Sequence, residues 1–147
     1  MNLRQSSVLF SRIALFIIYF WFGLLKVIGQ SPASELVRGL FEKTLSHVPL
    51  LSFGIFIALF GLFEMLIGIL FIIPGKERLA LRLFFIHMVM ATLPLFTMSG
   101  IWTRIFVPTL EGQYIIKNLA LIACALGVAS VMPSKKARET PQTVVLE

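Results

Sequence analysis

The stretch FGLFEMLIG, Phe60 to Gly68, places Glu64 in the middle of 24 residues, Leu50 to Ile73, that carry no other charge. A run of that length and greasiness is long enough to cross the hydrocarbon core of a bilayer. An uncompensated charge at mid-bilayer costs about 3 kcal/mol on insertion scales. The run therefore demands a partner for Glu64, a bound proton or a water-filled cavity. Which of these it finds depends on the rest of the chain.

The chain has 147 residues, 58% of them hydrophobic, and a mean hydropathy of +0.93. A soluble domain of this length could not hide so much apolar surface, so its solvent is lipid. The net charge is +6, from 13 Lys and Arg against 7 Glu and no Asp. The basic residues are scattered and no nucleic-acid motif accompanies them, so the excess points to loops facing anionic lipid and excludes a nucleic-acid partner. A single cysteine, Cys124, excludes an internal disulfide and any CxxC pair. The two histidines, His47 and His87, lie in different segments without metal-ligand spacing. No nucleophile elbow, P-loop or dinucleotide fingerprint occurs. No metal site and no autonomous enzyme is expected.

Four apolar runs, at about 8–29, 50–73, 79–101 and 114–132, are each of spanning length. Backbone in lipid must satisfy its own hydrogen bonds, so all four are predicted as helices: an all-α, four-transmembrane-helix bundle forming one domain over 1–132. An even number of spans puts both termini on one side. That side carries eight basic residues against five on the other, which predicts both termini in the cytoplasm of a multi-pass inner-membrane protein. The first run has the early basic residues of a signal peptide, but Lys26 interrupts the place where cleavage would follow. The tail, 133–147, is polar and is expected to be cytoplasmic and disordered.

Between the first two spans, Ser31 and Pro32 form a helix-start signal. Leu36, Val37, Leu40, Phe41 and Leu45 then recur on one face. This predicts a short amphipathic interfacial helix at about 32–47. The PGKER turn makes the second and third spans an antiparallel hairpin, Pro94 is expected to kink the third, and Trp102 to sit at the membrane interface.

Gly54, Ala58, Gly61, Met65 and Gly68 follow the spacing of one helix face, and small residues there admit a close neighbour. At about 100° per residue, Glu64 flanks that face. In the fourth span a similar stripe, Ala120, Ala123, Gly127 and Ser130, is flanked by Lys117. In the first, Arg12, Tyr19 and Lys26 recur every seven residues beside Gly23. All these polar groups are expected to aim inward. Counting from Lys76, Glu64 lies 12 residues back and His87 11 forward, so the hairpin brings the two to similar depth, where they are expected to meet directly or through water. Lys26 and Lys117 belong toward the outer end, Arg12 and Arg82 toward the inner. For Arg12, Arg82 and Lys26, snorkelling to the headgroups is the competing reading. For Glu64 it is a purely structural interhelical role, and for His87 a packed, hydrogen-bonded core position.

The segments WFGLLK, FEMLIGIL, TLPLFTMSG and FVPTLEGQYIIKNLALIACAL, taken in order, resemble the DoxX-like membrane proteins, and most resemble the YkgB/RclC inner-membrane group associated with reactive-chlorine stress. The resemblance covers roughly 12–131. It implies a bacterial inner-membrane four-helix bundle. Some relatives are subunits of a thiosulfate:quinone oxidoreductase and others are linked to oxidative-stress complexes. The family's glycine-then-lysine pattern maps to Gly23 and Lys26, its acid to Glu64 and its last lysine to Lys117. Relatives often follow that lysine with an acid, where this chain has Asn118.

Three functions follow as expectations. The first is a membrane subunit of a redox or oxidative-stress system. Its polar pocket, built from Glu64, His87, Lys26, Lys117, Arg12, Asn118 and Tyr19, would bind a quinone or other small molecule. The chain carries no cofactor of its own, so electrons would come from a redox partner protein. The second is a small transporter or proton-coupled carrier, which with four helices requires a homo-oligomer. The third is a structural or assembly protein without a ligand.

Overall fold

In the computed structural model, residues 2–132 are described; the expected tail at 133–147 lies outside them. Helix α1 (Leu3–Val27) is followed by a short α2 (Ser34–Thr44) and then by α3 (Phe53–Ile72). Helix α4 (Glu77–Thr92) continues past a break into a single turn, α5 (Pro94–Thr97). A 3-10 turn (Ser99–Ile101) and a two-strand hairpin, β1 (Trp102–Arg104) and β2 (Val107–Pro108), lead into α6 (Leu110–Ala129). Four helical segments, Leu3–Val27, Phe53–Ile72, Glu77–Thr97 and Leu110–Ala129, are long and apolar enough to cross a membrane. The protein is an all-α four-span bundle, and its exposed apolar faces meet lipid.

Hydropathy and capping mark different residues, which explains the shifts in boundary. The first helix starts at 3 and not 8, because Asn2 and Gln5 form a reciprocal capping box ahead of the apolar run. Ser52 accepts from the amide of Ile55 and starts α3 three residues later than expected. Thr109 accepts from Gly112 and starts α6 four residues earlier. The signal read at Ser31 is displaced: Ser31 accepts from Ala33 and Ser34, α2 begins at Ser34, and its cap position, Ala33, makes no side-chain bond. Gly29, at φ 72°, and Gly75, at φ 81°, supply the left-handed backbone that ends α1 and turns α3 into α4. The third span is interrupted at Leu93, directly before Pro94.

The tightest helix pair is α1 with α3. Gly23 and Gly61 bring their backbones so close that a methyl group on either would come within 2.5 Å of the other's carbonyl oxygen. One heptad away, Gly68 lies against the backbone of Phe16 and Phe20. The paired positions descend on α1 as they rise on α3, so the helices are antiparallel. Leu15, Ile67, Phe71, Phe84, Ala125 and Val128 fill the core among α1, α3, α4 and α6.

The stripe expected to pack α6 faces away from the bundle. Ala120, Ala123 and Ser130 are exposed, and a side chain added at Gly127 would meet nothing within 4 Å. The packing face is built instead from Gly112, Ile115, Ala125 and Val128. Lipid accepts small apolar residues as readily as a helix neighbour does, so residue size alone did not identify the buried face. The hairpin at 102–108 was not foreseen, since strands this short show no alternation.

Candidate functional site

Four buried polar side chains on three helices form one continuous chain of hydrogen bonds. Lys26 Nζ donates to Glu64 Oε2 at 2.6 Å. His87 Nε2 lies 2.9 Å from Glu64 Oε1, and His87 Nδ1 lies 3.0 Å from the Tyr19 hydroxyl. All four residues are 6% exposed or less. The relay leaves α1 at Tyr19, crosses α4 and α3, and returns to α1 at Lys26, about 10 Å farther along that helix.

Helix geometry explains why Lys26 and Glu64 meet. Lys26 stands three residues past Gly23 and Glu64 three past Gly61. On antiparallel helices those steps carry the two Cα atoms apart, by about 9 Å along the axes. Side chains lean toward the N-terminus of their own helix, so these two lean toward each other and close the gap. For Lys26, expected to aim inward, the competing reading is snorkelling to the headgroups. Lys26 points into the bundle, because the glycine crossing puts a carboxylate within reach of its stem. The turn count from Lys76 placed Glu64 beside His87, and the structure brings them into direct contact.

Donor and acceptor bookkeeping gives one self-consistent assignment of the protons. An ionised Glu64 can only accept, so His87 Nε2 carries the proton it donates. In the neutral ring, Nδ1 then accepts from the Tyr19 O–H. With Glu64 ionised and the ring neutral, the one ammonium is matched by the one carboxylate. An ammonium matched by a carboxylate offsets part of the cost of placing charge in lipid. Aromatic rings exclude water around it. Phe60 stacks on His87 at 5.2 Å and 22° and lies 5.7 Å below Lys26 Nζ. Tyr19 meets His87 edge-on at 5.2 Å, and Phe63 lies 6.3 Å away. Phe60 precedes Glu64 by one turn on α3, a spacing that could have marked it as part of the site.

Arg12 belongs to a separate contact near the 74–76 turn. Its Nε donates to the carbonyl of Phe71 at 2.7 Å and its Nη1 pairs with Glu77 at 2.8 Å. The guanidinium thus satisfies a carbonyl in the last turn of α3, where the helix has no amide left to offer. Lys117 and Asn118 are not in the relay. Lys117 is exposed, with Nζ 5.2 Å from the Tyr114 ring, and Asn118 is half-buried. Lys117 was expected to flank an inward stripe; it follows that stripe to the outside. Arg82 and His47 are exposed.

Among the described residues no buried side-chain nitrogen or oxygen lacks a partner. Lys26 is seen to give Glu64 one of the three N–H donors of its ammonium, so the pairing itself leaves donor capacity there. Two surface hollows lie elsewhere. One, of about 400 Å³, is lined by Asn2 to Arg12 on α1 and by Val131. The other, of about 390 Å³, is apolar and lined by α4, α5 and Ile122. No relay residue lines either one.

Among the described residues no group of three or more His, Cys, Asp or Glu could hold a metal. Comparisons with protein-family models, with curated proteins and with solved structures give no match for this chain.

Proposed function

We propose that this multi-pass membrane protein is a DoxX-like subunit of a redox or oxidative-stress system in the bacterial inner membrane, with both termini in the cytoplasm and a redox partner protein supplying electrons. The observation that supports this reading is the buried Lys26–Glu64–His87–Tyr19 relay. Four titratable groups hydrogen-bonded end to end at mid-span are costly to build and are the usual mark of function inside a membrane. Such a chain holds exchangeable protons in fixed order, which is what a membrane redox step requires of its scaffold. No step is assigned to a quinone, because no relay residue lines either surface hollow.

The test uses cells challenged with hypochlorite and complemented with wild-type protein or Glu64→Gln. The variant is expected to lose more protection than its loss of membrane-embedded protein accounts for. Full protection by Glu64→Gln would remove the relay from the activity.

A second reading is favoured by the complete pairing of the buried polar atoms. On that reading the relay is an interhelical clamp in a structural or assembly protein. It predicts that Glu64→Gln lowers thermal stability in detergent and weakens protection only in proportion to lost protein. A proton-coupled carrier, the third reading, requires a homo-oligomer and solute flux in proteoliposomes.

A further inference from the structure

We infer that the hollow beside the start of α1 binds the phosphate of an anionic membrane phospholipid. Its lining changes character along the helix. Asn2, Arg4 and Gln5 supply polar groups at the first turn, and Val8 and Leu9 follow about 7 Å deeper. Arg12 lies below them with its guanidinium held by Phe71 and Glu77, and Val131 lines the hollow from beyond α6. That gradient matches a phospholipid, with charge at the boundary and hydrocarbon below it.

The charge balance favours an anion. Arg4 is exposed, and its described partner is the carbonyl of Ser130, 3.3 Å from Nη2. No described carboxylate pairs with it within 4.0 Å. Arg12, two turns deeper, is fixed by Phe71 and Glu77, which take two of its five N–H donors. The hollow, of about 400 Å³, has room for a phosphate and part of the glycerol. A free phosphate shares the head-group chemistry but gains nothing from Val8, Leu9 and Val131, so the lining favours the lipid.

The full chain, purified in uncharged detergent, is melted with dioctanoyl phosphatidylglycerol, with dioctanoyl phosphatidylcholine or with inorganic phosphate. Phosphatidylglycerol is expected to raise the melting temperature more than either alternative. Arg4→Gln should weaken its apparent affinity about fivefold, the usual worth of one arginine toward anionic lipid. Arg4→Lys should stay near wild type. Arg104→Gln, at the opposite end of the bundle, should change nothing. Equal protection by phosphatidylcholine or by phosphate alone, no effect of Arg4→Gln, or an equal effect of Arg104→Gln would each overturn the assignment.

Discussion

Gly23 and Gly61 touch backbone to backbone, and Lys26 and Glu64, three residues past them on opposite sides of the crossing, lean back to form a 2.6 Å ion pair. The pair depends on the crossing. A wider separation of α1 and α3 would leave the ammonium short of the carboxylate.

Gly61→Ala is therefore expected to destabilise the bundle by about 1–3 kcal/mol, since its methyl group meets the Gly23 carbonyl, which cannot rotate away. Gly127→Ala, in open space on α6, should be neutral or stabilising by up to about 1 kcal/mol. Thermal melts of both variants in one detergent check the contrast. Equal losses would mean that the crossing is not the tight point.

Tyr19→Phe removes the end of the relay and leaves His87 Nδ1 without its partner. The expected loss is about 1 kcal/mol, in the range for one buried neutral hydrogen bond. Equilibrium unfolding in mixed micelles measures it. No loss would show that the phenol does not hold the imidazole.

Arg12→Gln should loosen the end of α3 more than Glu77→Gln does. The first removes both the Phe71 contact and the ion pair, the second only the pair. Losses of about 2 and about 1 kcal/mol are expected. Hydrogen exchange of the 69–75 amides should quicken in the same order. The reverse order would show that the carbonyl contact contributes nothing.

Much of this was legible in the residues, for identifiable reasons. The spans followed from hydropathy, and the Glu64–His87 contact from counting on either side of a five-residue turn, because a tight hairpin fixes relative depth. The face carrying Gly61 and Gly68 was readable because Glu64 beside it had to be buried. The α6 stripe was misread because no buried charge marked its side, and in lipid an alanine is at home on either face. The direct Lys26–Glu64 pairing was missed because depth was counted at Cα atoms, while two side chains leaning toward each other close about 9 Å along the axes. The contact of Arg12 with Phe71 was hidden because its acceptor is backbone, which residue types do not reveal.

The central claim is that Lys26 and Glu64 exist for each other inside the bundle. A double-mutant cycle on thermal stability in lipid nanodiscs, using Lys26→Met, Glu64→Gln and the two combined, tests it most directly. Each single variant leaves a buried polar group without its partner and should lose about 3 kcal/mol, while the double variant should lose less than either. Additive losses would contradict the pairing.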